Sequence, residues 1–388
     1  MSNTSKKSKI LILCPKFHPL EDGLGQHTTH FYHTLKSKVE TLVITSATPE
    51  IVTANQRDTD VYPLVEHWDL RTLPQLLRLV RKEKPTHLLI QWVPYLYAKR
   101  AGLNFSFPSV IRTLKKLIKV QVHLYCHELY YPNLADLKSK VLHYSHKWIL
   151  KQMIEQSELV LTSTDSFKKE IDALWPAFQK KTHWIPVSSN INRKISITPK
   201  TPSKKVRIGL FGTFHPSKRV DLVLNSLFQA IQPKKEAYEI HYIGASEDEI
   251  KTLLTKEDFT HLSSFLVCTG FLKNSEVDQA LQELDGFIAY FMDGLSSRRG
   301  SFLAALERGI PSISTTGQYT DSIFLNVPGL HLLSPEERAF QKGLHDLIQN
   351  GWPRSDAHFR NSLSLFYNDS FSWEKTTNDY LNLIAALN

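Results

Sequence analysis

Three stretches of this 388-residue chain combine residue types that could cradle an anion. The first is Gly23-Leu24-Gly25, which follows an apolar run at Ile10–Cys14 and leads into a helical pattern from His27. Glycine lets the backbone approach an anion, and a helix N-terminus adds free N–H groups and partial positive charge. The second is Gly212, followed by Lys218 and Arg219 just before another helical pattern. A lysine there could reach a diphosphate as a mobile point charge, and an arginine with a planar fork. The third is Asp293-Gly-Leu-Ser296-Ser297-Arg298-Arg299-Gly300-Ser301. We expect a helix over Ser297–Arg308, capped by Ser296 or Ser297. Arg298 and Arg299 would then lie in its first turn, where each cation opposes the macrodipole by about 0.3–1 kcal/mol. Gly300 would weaken the helix by roughly another 1 kcal/mol. A bound diphosphate would reverse the sign of the arginine penalty. The plain alternative for each stretch is solvated charge or a tight turn.

One candidate could handle a proton. His127 directly follows the apolar run Val122–Cys126, at the end of an expected strand. It reads either as a site residue or as a satisfied structural histidine. The other histidines show no HExxH or similar metal spacing, so no metal site is expected. Asp58-Thr59-Asp60 matches the DxD of metal-dependent sugar transferases, but it sits in a polar run away from any strand end, and chance accounts for it better.

The elements around these residues alternate. Short apolar runs at Ile10–Cys14, Leu42–Thr45, Leu88–Trp92, Val122–Cys126 and Leu159–Thr162, with a sixth at Trp184–Val187, are separated by helical patterns. Buried strands alternating with helices imply βαβ units and a parallel sheet. A polar, aperiodic stretch at Ser188–Lys205 interrupts the pattern, which then restarts with Val206–Phe211, Ile240–Ile243, Phe265–Cys268, Phe287–Tyr290, Ser312–Thr315 and His331–Leu333. The fold class is α/β, with two doubly wound Rossmann-like domains. We place them at 1–190 and 205–370, joined by a linker at 191–204. Ligands of such sheets bind outside the carboxyl ends of the strands, so a cleft between two facing domains is the expected site.

Composition narrows the partner. Hydrophobic residues are 41% and charged residues 22%, which rules out a disordered or low-complexity chain. Residues 1–190 hold 26 Lys and Arg against 16 Asp and Glu, a net of +10 that exceeds the +9 of the whole chain. A basic half suggests an anionic partner or a solubilising surface. Pro108–Val120 has the pattern of a basic amphipathic helix, with Val110, Leu114, Leu117 and Ile118 on one stripe among Arg112, Lys115, Lys116 and Lys119. Such a helix could lie on an anionic membrane or simply pack on the sheet. No zinc finger, RRM signature or basic run interleaved with aromatics speaks for nucleic acid. No apolar run approaches the roughly 18 residues of a membrane span. The apolar stretch near the N-terminus stops at Pro15, too short for a signal sequence. Three scattered cysteines fit a reducing compartment, so a cytoplasmic location is expected, with a peripheral place on the inner face of the membrane left open.

In order and spacing, these pieces resemble the GT-B fold glycosyltransferases of family 4. The resemblance rests on the Gly-rich first loop, Glu158-Leu-Val-Leu-Thr-Ser-Thr-Asp165-Ser, the opening Gly212…Lys218, the step Gly309-Ile-Pro311-Ser-Ile-Ser, and the tail Phe371-Ser-Trp373-Glu374. It implies that a final helix, 371–388, crosses back onto the first domain. It implies that Gly23 and Gly25 approach the donor diphosphate and that His127 stands near the donor sugar and β-phosphate. It implies that Gly212, Lys218 and Arg219, with Ser296, Arg298, Arg299, Gly300 and Ser301, line the donor side, and that Asp293 could touch the donor sugar. The chain departs from the family pattern at two places. Thr213 stands where an arginine is usual, and the signature pair of glutamates falls on Ser296 and Ala304.

The resemblance implies sugar transfer from a nucleotide-diphosphate sugar to a saccharide or lipid-linked acceptor, with retention of configuration. The nucleotide sugar is a co-substrate, and neither cofactor nor metal is expected. Two other readings compete: a non-catalytic nucleotide-sugar-binding or membrane-associated subunit on the same fold, and an epimerase or dehydrogenase on a doubly wound sheet.

Overall fold

The computed structural model describes residues 8–20, 22–98, 102–132, 134–191, 193, 203–213, 218–353 and 357–387. The chain forms two units, Met1–Pro186 with Thr376–Asn388, and Val187–Lys375. Most of the expected linker, at 192 and 194–202, lies outside the described residues.

Among the described residues, the first unit holds seven strands: β1 (Lys9–Leu13), β2 (Glu40–Ser46), β3 (Val61–Val65), β4 (His87–Trp92), β5 (Gln121–Cys126), β6 (Leu159–Thr162) and β7 (Thr182–Trp184). They form one parallel sheet in the order β3-β2-β1-β4-β5-β6-β7. Every residue of β4 is buried, as expected for a strand covered on both faces. Helices α1 (Gly23–Lys36), α2 (Pro49–Ala54), α3 (Leu73–Glu83), α4 (Phe107–Ile118), α5 (Leu137–Gln156) and α6 (Asp165–Leu174) alternate with the strands. β3 carries Pro63, which donates nothing to a ladder, and it pairs only with β2 at the sheet edge.

The second unit repeats the scheme. β8 (Val206–Phe211), β9 (Tyr238–Ile243), β10 (Leu266–Cys268), β11 (Gly286–Ile288), β12 (Ser312–Thr315) and β13 (Leu330–Leu333) form a parallel sheet in the order β10-β9-β8-β11-β12-β13. Its helices are α7 (Val220–Ile231), α8 (Glu247–Lys251), α9 (Lys256–Leu262), α10 (Asn274–Gln282), α11 (Gly300–Glu307), α12 (Glu337–Gln349) and α13 (Ala357–Phe371). The last helix, α14 (Trp373–Leu387), contributes Thr376 onward to the first unit. There Tyr380 is fully buried, and its hydroxyl lies 2.9 Å from His123 Nδ1. Strand order reverses between β1 and β4 and again between β8 and β11, which marks two switch points for ligands.

The basic helix of the sequence reading is α4, and its apolar stripe needs correction. Phe107, Val110, Ile111 and Leu114 are buried in the first unit's core, whereas Leu117 is 55% exposed. Ile111 takes the buried place assigned to Leu117. Lys115 is tied to Glu158 and to the Gln156 carbonyl. The apolar face of 108–120 is therefore spent on packing and is unavailable for a lipid surface. Among the described residues, no helix is long and apolar enough to cross a membrane.

Candidate functional site

The switch point of the second unit gathers most of the candidates. β8 ends at Phe211, and Gly212 continues with a φ of +107°, a conformation that suits glycine. A Cβ there would lie 3.0 Å from Lys218 Nζ and 3.9 Å from Ser301 Cβ, so these three residues converge. Lys218 Nζ donates 2.8 Å to the Thr213 carbonyl. Burial, and then the nearby Arg299 charge, lower the lysine pKa. A cavity of about 20 Å³ lies among Lys218, Ser301, Phe211, Tyr290 and Phe291.

The loop after β11 supplies two more cations. The Asp293 carboxylate pairs with Arg298 at 3.2 Å and with Arg299. The Arg299 guanidinium also lies 4.4 Å over the centre of the Phe291 ring. The helix start differs from expectation. α11 begins at Gly300, and Arg299 stands at its N-cap with no side-chain cap. Neither serine caps it: the Ser297 N–H and Oγ donate to Asp321 Oδ2 at 2.6 and 2.7 Å, and Ser296 is fully buried. Both arginines thus precede the helix, and Gly300 is its first residue, not an interior one. Arg299 still lies beside the positive end of the helix dipole, and the carboxylate of Asp293 offsets the charge of both arginines.

Arg219 turns elsewhere. With a φ of +39° it forms the N-cap of α7, and its guanidinium pairs with Asp221 at 3.3 Å and Glu337 at 3.1 Å. Its guanidinium is held by carboxylates at the starts of α7 and α12. Behind the site, Arg308 caps the far end of α11. It bonds Asp278 Oδ1 at 2.6 and 2.9 Å, the Ala304 carbonyl at 2.7 Å and the Ile191 carbonyl at 3.2 Å. No spacing rule in the sequence points to that pair, whose members lie 30 residues apart.

At the first unit's switch point, the backbone cradle already holds an anion. Asp22 caps α1, and its Oδ1 accepts from Leu24 N at 3.2 Å and Gly25 N at 3.1 Å. Lys16 lies 3.5 Å from the same carboxylate. A Cβ on Gly25 would meet the Leu20 carbonyl at 3.2 Å, so this glycine permits the tight turn. Gly23 leads the helix with open space beside it.

His127 follows β5. Its N–H donates 2.9 Å to the Trp92 carbonyl, and its Nε2 lies 2.6 Å from Gln91 Oε1. An amide oxygen only accepts, so Nε2 carries the proton and Nδ1 is left as an acceptor. The ring stacks on Tyr125 at 4.5 Å and meets His27 edge-on at 4.6 Å. Burial pushes its pKa down to about 3, so the imidazole is neutral. Gln91 was the missed partner. Its signal was a lone amide within the apolar strand Leu88–Trp92.

A larger groove of about 1050 Å³ opens at the carboxyl ends of β2 and β3 and beside the β4–α4 loop. Glu66, His67, Asp69, Arg71, Asn104 and Phe105 lie along it. Its wall is fixed by Trp68, whose Nε1 donates 2.9 Å to Ser46 Oγ, and by the Asn104 amide, which bonds the carbonyls of Trp68 and Tyr97. Asp58 and Asp60 instead pair with Lys36 at 3.4 and 2.8 Å. Among the described residues, no group of three or more His, Cys, Asp or Glu is placed to hold a metal.

No protein-family model matches the chain, and no curated protein matches it in sequence. Solved structures do match it in fold. A glycosyltransferase from Rickettsia africae aligns with a TM-score of 0.73 at 11% identity, covering 97% of each chain. The sucrose-phosphate synthase of Thermosynechococcus elongatus gives 0.67 at 13% identity, over 98% of this chain and 99% of that one. The Anabaena protein HepE, solved with UDP and glucose, gives 0.65 at 12% identity, over 98% and 100%. With two parallel sheets of this order matched over nearly its whole length, the chain has the GT-B fold of these glycosyltransferases.

Proposed function

We propose that the chain is a glycosyltransferase that moves a sugar from a nucleotide-diphosphate sugar to a saccharide or lipid-linked acceptor, with retention of configuration. The observation that carries this reading is the convergence of Gly212, Lys218 and Ser301 at an uncapped helix start, with Arg299 charge beside them. That is an arrangement for a diphosphate. HepE, with the same fold, was solved with UDP-glucose.

The chemistry follows from charge. Negative charge grows on the diphosphate as the glycosidic bond to it breaks. On this reading the diphosphate sits on Lys218 and the α11 N-terminus, which then stabilise the transition state more than the ground state. Lys218, Arg298 and Arg299 supply the cationic charge, and the reading needs neither metal nor cofactor. The leaving phosphate oxygen accepts the acceptor's proton, so no separate base is required. His127 of the first unit is neutral, with Nε2–H committed to Gln91 and Nδ1 left as an acceptor for a hydroxyl. The groove beside Asp69 and Arg71 has the size for an acceptor saccharide, with aromatic and aliphatic walls for a sugar face and a few charged groups for its hydroxyls.

A thermal-shift screen against UDP, GDP, ADP and their sugars tests the donor. A ligand at 100 times its Kd stabilises by about 2.7 kcal/mol. Transfer from the stabilising donor, with the product anomer assigned by NMR, tests the reaction. One observation favours binding without turnover: Ser296 and Ala304, where the resemblance would put glutamates, are fully buried and carry no carboxylate. Saturable nucleotide binding with no transfer across an acceptor panel would select that second reading.

A further inference from the structure

Helix α5 is built for two surroundings. Its inner face, with Leu142, Ile149, Leu150 and Met153, is buried in the first unit's core. Its outer face is also apolar over the first three turns. Leu137, Val141, Tyr144 and Trp148 recur at steps of four, three and four, which places them on one stripe. They are 78, 52, 62 and 49% exposed. Phe105, itself 52% exposed, extends the stripe by packing against Trp148 with ring centres 5.7 Å apart. Large exposed apolar side chains scattered singly are ordinary, whereas a contiguous row of them marks a contact surface.

Charge indicates the occupant. From residue 137 to 154 the helix carries Lys138, Lys140, Lys147 and Lys151 and no acidic residue. The neighbouring α4 adds Arg112, which bonds Gln152 of α5 at 3.3 Å, and Lys116. Acidic groups stand only at the ends, Asp136 as the N-cap and Glu155 in the last turn. Tyrosine and tryptophan favour the boundary between lipid and water, and lysines beside them favour anionic headgroups. A second copy of the chain is a poor occupant. A twofold contact would set one lysine-lined stripe against another, with like charges opposed.

We propose that the first three turns of α5, with Phe105, dock the first unit on an anionic lipid surface. This goes beyond sugar transfer and does not depend on it. It also differs from docking through 108–120, whose apolar side is buried. Helix α5 starts after β5, at the carboxyl edge of the sheet, and Phe105 also lines the 1050 Å³ groove. The docking face and the groove therefore adjoin, which suits an acceptor held at a membrane.

The test is co-sedimentation of the full chain with vesicles of phosphatidylcholine alone or with 30% phosphatidylglycerol, near 0.1 M salt. The chain should bind the anionic vesicles and leave the neutral ones. The double variant Tyr144→Ser/Trp148→Ser should lose at least tenfold in partitioning. Phe271→Ser, in the second unit and as exposed as Leu137 at 78%, should leave it unchanged. Lys138→Gln/Lys140→Gln should lower it by about fivefold per lysine. All substituted side chains are exposed, so equal far-UV spectra and melting temperatures are expected. Should the double variant misfold, single Leu137→Ser and Tyr144→Ser replace it. Binding unaffected by the stripe variants, or equal binding to neutral vesicles, overturns the proposal. So does a wild-type dimer without vesicle affinity that the stripe variant converts to monomer, because the occupant is then a second copy.

Discussion

Asp293 holds both arginines of the second unit's site, so replacing it should move stability and nucleotide affinity in opposite directions. Asp293→Asn keeps the shape and removes one negative charge. Its ion pairs are partly exposed, with side chains 20 to 29% accessible, so solvent screens them. Their loss should cost about 0.5–1 kcal/mol, which lowers the melting temperature by roughly 1–4 °C. The nucleotide gains instead. A diphosphate seated on the same guanidiniums would lie about 6 Å from the carboxylate, and at an effective dielectric of about 40 their repulsion is roughly 1.4 kcal/mol. Removing it should tighten UDP about tenfold, and less at high salt. Calorimetric titration of UDP into wild type and Asp293→Asn, with melting curves of both free proteins, reads the two effects. Equal or weaker UDP binding by the variant would refute the idea that this carboxylate stands in for a phosphate.

Other consequences follow from buried charge. Burial pushes the pKa of His123 and His127 down to about 3, against roughly 6.5 when unfolded. Below pH 6.5 the unfolded chain binds protons that the folded chain refuses. Stability is unaffected above pH 7 and falls by about 1.4 kcal/mol per histidine for each unit below 6.5. Between pH 6.5 and 5 the pair should remove about 3 kcal/mol, seen as a falling urea midpoint; a flat midpoint would contradict it. Arg308 and Asp278 are 1% and 3% exposed, so Arg308→Met takes the guanidinium from a buried carboxylate and should cost about 3–5 kcal/mol. Arg308→Met/Asp278→Leu should recover most of that loss in urea unfolding, and failure to recover would show that the carbonyls of Ala304 and Ile191 matter more.

The sheets were legible because parallel strands buried on both faces read as unbroken apolar runs. β8 and β12 lie where expected, and β1 is shifted by one residue. β3 escaped notice because Pro63 breaks its run, which only an edge strand tolerates. β7 lies two to three residues before the apolar run Trp184–Val187, because Pro186 has no N–H for the ladder and the Ile185 and Pro186 carbonyls accept the Tyr125 hydroxyl instead. At the site, residue types were readable and partners were not. Ser297 has the composition of an N-cap, yet Asp321, 24 residues on, takes its hydroxyl. Arg219 looks like a phosphate ligand, yet Glu337, 118 residues on, takes its fork. Pairings at such separations leave no periodic trace. The outer stripe of α5 left none either, since apolar residues on both faces cancel the amphipathic signal.

The central claim is that Lys218 grips the diphosphate of a nucleotide. Calorimetric titration of UDP, or of whichever diphosphate the thermal screen selects, into wild type and Lys218→Ala tests it most directly. The account predicts saturable wild-type binding and at least a tenfold weaker Kd in the variant, with the melting temperature of the free protein nearly unchanged. An unchanged Kd, or no saturable binding of any nucleoside diphosphate by the wild type, would contradict it.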